Sequence, residues 1–155
     1  MIETHQGITY TVTPFHMLTL DELYNIMQLR QEVFIVEQNC PYLDADGKDF
    51  LGFHVMGKND AGKLVCYTRL LPAGVSYEGY CSIGRVINAS SVRRQGHGKK
   101  LMEISIREIR ILFPGIPIKI GAQTYLKAFY ESLGFVDLHQ PYLEDGIPHL
   151  KMVLK

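Results

Sequence analysis

The sequence has no tryptophan and only three cysteines, Cys40, Cys66 and Cys81, in 155 residues. Their number is odd, their spacing is wide and no C-x-x-C pair occurs. A disulfide framework and a structural zinc site are therefore not expected, and a reducing compartment fits best. Excess charge of either sign is also missing: 16 Lys and Arg balance 16 Asp and Glu. Whole-molecule attraction to nucleic acid or to an anionic membrane is thus not expected, although a local cluster such as Arg93, Arg94, Lys99 and Lys100 can still hold phosphate. Long apolar runs are absent, since no stretch approaches the roughly 20 residues that span a bilayer. The start, MIETHQGITY, lacks the basic and apolar regions of a secretory signal. With no linker, repeat or low-complexity tract, the expectation is a single domain over 1–155, cytoplasmic, with a small-molecule partner rather than nucleic acid or membrane.

What is present alternates strands and helices. ITYTVT at 8–13 is β-branched and stops at Pro14. Thr19 and Glu22 have capping-box spacing, which fixes a helix start near Leu20, with Leu23, Met27 and Phe34 on its apolar face. Arg30 interrupts that face. FLGFHVMG and KLVCYTRLLP flank an NDAG turn and read as a hairpin, and YCSIGRVI at 80–87 reads as the next strand, with Gly84 able to allow a bulge. A helix from Gly98 to Leu112, a strand IPIKIGA, a short helix YLKAFYESL closed by Gly134, and two last extended segments around an EDG turn complete the chain.

Between the YCSIGRVI strand and the helix that follows lies SVRRQGHGKKLM, residues 91–102. A basic, glycine-rich turn that opens a helix can cradle an anion. The first NH groups of the helix have no internal partners, its dipole favours negative charge, and glycine permits close approach. Spacing excludes two such motifs. A P-loop would need Ser or Thr where Lys100 stands and glycine where Arg93 stands. A dinucleotide fingerprint would need glycine at Leu101.

The remaining pattern, R-x-x-G-x-G from Arg93 to Gly98, resembles the acetyl-CoA pyrophosphate loop of the GCN5-related N-acetyltransferase (GNAT) superfamily. The order of elements and the FYESLGF segment extend the resemblance over most of the chain. LRQEVFIVEQNCPYLDADGKD, IGRV and EDGIPH are similar to the ElaA-type subfamily. The resemblance implies an α+β fold, with a mostly antiparallel mixed sheet of six to seven strands flanked by about four helices. It further implies acetyl transfer from acetyl-CoA, as cosubstrate, to a small-molecule amine by direct attack, without a metal. Ile83, Gly84, Arg85 and Val86 would meet the pantetheine arm and the thioester carbonyl. Arg93, Arg94, Gly96, His97, Gly98 and Lys99 would hold the pyrophosphate. Tyr130 would protonate the departing thiolate. Gln123 stands where many members of the superfamily have an asparagine that contacts the pantetheine.

Several groups could serve as general base: Glu37, His54, Glu144, Asp145 and His149, with Glu37 the leading choice. His54, in an apolar strand, reads better as a core histidine, and Arg30 and Arg85 as partners in structural ion pairs. DADGKD has its glycine too early for a calcium loop and reads as a turn, and Cys40 has no evident activating partner. Two alternatives stand beside the enzyme: a non-catalytic acyl-CoA sensor, and an acyltransferase like the acyl-homoserine-lactone synthases, which LRQEVFIVEQ resembles. Monomer and homodimer are both left open.

Overall fold

The computed structural model describes residues 2–155, and its core forms where the apolar periodicity places it. Eight strands build two antiparallel sheets. The first, in spatial order, comprises β1 (Ile2–His5), β2 (Ile8–Pro14), β3 (Phe53–Lys58), β4 (Leu64–Leu71) and β5 (Ser82–Asn88). The second runs β6 (Ile118–Gln123), β8 (Ile147–Leu154), β7 (Val136–Glu144). The three α-helices are α1 (Leu20–Arg30), α2 (His97–Leu112) and α3 (Lys127–Ser132).

The α+β class with dominant antiparallel pairing is as expected, but among the described residues there are eight strands rather than six or seven. The additional one is β1, which Gln6 and Gly7, at φ 47° and 79°, fold back onto β2 as a tight hairpin. Among the described residues there are three α-helices rather than about four. Instead of a further α-helix, α1 runs on into a π-helical segment, Gln31–Glu37, marked by i to i−5 bonds from Gln38 N to Val33 O and Cys40 N to Ile35 O.

Thr19 caps α1 with the expected box: its hydroxyl accepts from Glu22 N at 3.1 Å and its own NH donates to Glu22 Oε1 at 3.0 Å. Helices cover the first sheet on both faces. Ile26, Leu29 and Val33 pack on Met56, Tyr67 and Ile87, while Leu101, Met102, Ile104 and Ile109 of α2 join Val55, Val65, Ile83 and Met152 on the other side. Consequently β4 is buried along its whole length, Thr68 and Arg69 included. Among the described residues, no helix is long and apolar enough to cross a membrane.

The two sheets meet at β5 and β6, which run parallel. They touch through one bridge, Cys81 with Ile118, where Cys81 N donates to Pro117 O at 3.1 Å and Lys119 N to Cys81 O at 2.9 Å. Beyond it they share no ladder, so a wedge opens between two strands that each keep free backbone groups on the facing edge. This wedge positions the site.

Candidate active site

A cleft of about 860 Å³ occupies the wedge and continues under the π-helical segment. Its floor is β5, whose ladder with β4 is interrupted. Gly84 faces Arg69 and Ile87 faces Tyr67, so Arg85 and Val86 together oppose Thr68. The bulge is as the glycine allowed, but Arg85 carries the left-handed conformation, φ 52°, which favours glycine. A Cβ added at Gly84 would meet only open space, so the backbone of the bulge faces the cleft.

A ring of six charges, Arg85 among them, holds this strained residue. Arg30 donates to Asp44 at 2.8 Å and Asp49 at 2.6 Å, Arg69 to Asp49 at 2.9 Å and Asp46 at 2.8 Å, and Arg85 to Asp46 at 3.4 Å and Asp44 at 2.7 Å. Each arginine meets two aspartates and each aspartate two arginines, a closed ring of zero net charge. Burial works against Asp46, but hydrogen bonding and charge from Arg69 outweigh it and hold that carboxyl at about 2. Asp49 lies below its ordinary range for the same reason, Arg30 and Arg69 overcoming the burial. DADGKD is thus more than a turn, and Arg30 and Arg85 are the structural ion-pair partners expected of them. Arg69, the third arginine, was not anticipated.

Where β5 ends, Asn88 organises the glycine-rich turn. Its carbonyl accepts from Arg93 Nε at 2.8 Å, its side chain accepts from Cys66 Sγ at 3.3 Å, and its amide lies 3.3 Å from where a Cβ on Gly98 would sit. A side chain at Gly98 would therefore press on the Asn88 amide, which would have to give way slightly. Arg94, at φ 63°, and Gly96, at φ 81°, turn the chain into α2, which no side chain caps. The amides of His97, Gly98 and Lys99 thus head the helix without a capping side chain, and the space a Gly96 Cβ would take is open.

The predicted residues divide into those that line the cleft and those that border it. Glu37, Ile83, Gly84, Arg85, Val86, Arg93, Gln123 and Tyr130 line it. Arg94, Gly96, His97, Gly98 and Lys99 do not, and belong to the turn beyond its end and to the start of α2. His97 is buried, its Nδ1 without a partner, and it lines a separate depression near Gly7 and Asn59.

Tyr130, in α3, is packed edge-on against Phe129 and Phe135, and burial pushes its phenol up to about 12. Glu37 closes the π-helical segment and pairs with Arg93 at 2.7 Å, two expected site residues brought together from 56 positions apart. His54 is a core residue: its Nε2 donates to Asp49 O at 3.1 Å, its Nδ1 accepts from Tyr67 Oη at 2.6 Å, and burial lowers its affinity for a proton.

The facing wall was largely missed. His149 donates through Nδ1 to Ile147 O at 2.7 Å, which turns Nε2 toward Glu144 at 3.3 Å. Beside them, Lys151 Nζ lies 4.0 Å from the ring centre of Tyr142 and 4.7 Å from that of Tyr77, and donates to Tyr77 Oη at 3.2 Å. Gly121, paired with Lys151 across the ladder, leaves room for Tyr142 Oη, which a Cβ there would strike. Among the described residues, no group of three or more His, Cys, Asp or Glu side chains is arranged to hold a metal ion.

Comparison with known proteins agrees with this geometry. Residues 50–155 match the family model described as "Acetyltransferase (GNAT) domain". Protein ElaA of Escherichia coli is 43% identical over 138 residues, covering 87% of this chain and 88% of its own. Its crystal structure superposes over the full length of both chains with a TM-score of 0.88, at 36% identity over that longer alignment. An acyl-CoA N-acyltransferase from Pseudomonas aeruginosa superposes with a TM-score of 0.90 at 43% identity, covering 96% of this chain and 99% of the other. With a bulged strand that feeds a glycine-rich turn and an ElaA relative matched over most of its length, this chain belongs to the GNAT acetyltransferase family, in its ElaA-like branch.

Proposed function

We propose that the protein transfers an acetyl group from acetyl-CoA to the amine of a small molecule by direct attack, in a single domain and without a covalent enzyme intermediate. The observation that carries this reading is the bulge at Gly84–Val86, opened toward the wedge and continuous through Asn88 with the uncapped start of α2.

The residues present fit the cosubstrate. Open space at Gly84 and Gly96 leaves backbone amides accessible, the edges of β5 and β6 offer groups to an extended amide-bearing arm, and Arg93 adds a forked cation. Acetyl-CoA supplies an activated thioester, and the chain orients it, holds an NH toward its carbonyl and manages two protons. Positioning of this kind removes several kcal/mol from a barrier, on the order of 7 or more in favourable cases.

In the transfer, the amine nitrogen forms a C–N bond to the acetyl carbon as the C–S bond breaks. The sulfur takes the proton of Tyr130, and the nitrogen loses one to Glu37, directly or through water, so the products are an acetamide and the free thiol of CoA. Burial keeps the Tyr130 phenol protonated through the neutral range, as a donor requires. A second base is supported by one observation: the His149–Glu144 pair at 3.3 Å on the opposite wall.

Purified protein mixed with acetyl-CoA and a panel of amines should release thiol, with calorimetry recording CoA binding. Binding with no release from any amine would favour the acyl-CoA sensor, and absence of binding would overturn the reading.

A further inference from the structure

We infer that the acceptor amine carries an anionic group, a carboxylate or phosphate, which Lys151 receives on the β8 wall of the cleft. The inference rests on the acetyltransfer reading and adds the substrate class.

The cleft holds more positive charge than its own carboxylates pair with. Of its cations, Arg69 and Arg85 are neutralised by the aspartate ring, and Arg93 by Glu37. Lys48 and Lys151 alone among the lining lysines and arginines have no carboxylate within ion-pair distance among the described residues. Adjacent residues of one loop hold both: Lys48 Nζ donates to Ser76 Oγ at 3.1 Å, and Lys151 Nζ to Tyr77 Oη at 3.2 Å. Two positive charges are thereby fixed on one side of the cleft.

Lys151 is the built one. The faces of Tyr77 and Tyr142 replace water on its flanks, Tyr77 takes one of its three hydrogens, and Gly121 admits the phenol that completes the enclosure. Lys119 shares the Tyr77 ring at 5.1 Å, and Glu144, which faces His149, acts on Lys151 through its charge from beyond ion-pair distance. A partly desolvated ammonium with hydrogens to spare, lining the same cleft as the bulge at Gly84–Val86, is completed by an anion. The class is an amine with a carboxylate or phosphate a short reach from the nucleophilic nitrogen, as in amino acids.

The test uses matched pairs: amino acids against their carboxamides, and O-phosphoethanolamine against ethanolamine, each with acetyl-CoA and thiol detection. The acid-bearing member should be preferred by at least about 10-fold in kcat/KM. Lys151→Met should raise KM for the acid at least about 10-fold and leave the amide unchanged, Lys151→Arg should restore part of the preference, and both variants should bind CoA as the parent does. Protein that fails to bind CoA would overturn the acetyltransfer reading and this inference with it. Protein that binds CoA but uses the neutral members equally well, or acetylates no acid-bearing amine, would overturn the anionic subsite alone. An amine preference between carboxylate and phosphate identifies which anion is read.

Discussion

Arg93 Nη2 and Glu37 Oε1 stand 2.7 Å apart, so the cation expected to meet a pyrophosphate and the carboxylate expected to take the amine proton neutralise each other. A diphosphate arriving at the start of α2 competes with Glu37 for that guanidinium. Because both partners are about 40% exposed, the pair itself is worth roughly 0.2–1 kcal/mol. Glu37→Gln should therefore tighten CoA binding by no more than about 5-fold while lowering kcat, and Arg93→Ala should weaken binding by about 10-fold. Calorimetry together with steady-state rates separates the two.

Tyr130→Phe should lower kcat by about 10²-fold or more with CoA affinity unchanged, the range for loss of a positioned acid. Since burial raises the phenol to about 12, the parent's pH–rate profile should show no descending limb from this group below pH 10. Rates measured from pH 6 to 10 check this.

Asp49 joins two arginines whose side chains are 0% and 4% exposed. Asp49→Ala leaves both without one partner and should cost about 3–5 kcal/mol. For a chain of this size that corresponds to a fall in Tm on the order of 10 °C, measurable by calorimetry or circular dichroism.

Acid should undo the same ring. The folded-state values of Asp46, about 2, and of Asp49 lie below those of the unfolded chain, so their contribution is complete above roughly pH 4 and disappears as pH falls toward 2. The urea midpoint should drop steeply over that interval, and Asp49→Asn should flatten the drop.

Gly121→Ala places a methyl against Tyr142 Oη and displaces the phenol. Acceptor KM should rise severalfold with CoA affinity unchanged, as kinetics with varied amine and calorimetry would show.

Local chemistry explains what was legible. The turn from Arg93 to Gly98 and the capping box at Thr19 are contiguous patterns whose residue types each have one dominant use. The ring of six charges was half visible. Arg30 and Arg85 interrupt apolar stretches, which marks them for structural ion pairs without saying with which acids. Arg69 escaped notice inside KLVCYTRLLP, although a run with three aspartates 44–49 left an acid to be matched. The Lys151 enclosure had no local signal, because Tyr77, Tyr142 and Gly121 come from a loop and two strands and meet only when the second sheet assembles. β1 had a signal, the Gln6-Gly7 turn, too close to the terminus to stand out.

The π-helical segment Gln31–Glu37 has one consequence for how such a cleft arises. A π turn is an α-helix lengthened by a single residue, and everything past it is rotated by about 100°. A chain lacking one residue between 31 and 36 would form an uninterrupted α-helix of ordinary pitch, and Glu37 would swing to another side of that helix, out of reach of Arg93. The place of the acidic group on this wall, and with it the pair to Arg93, thus depends on the one extra residue that the wider turn accommodates.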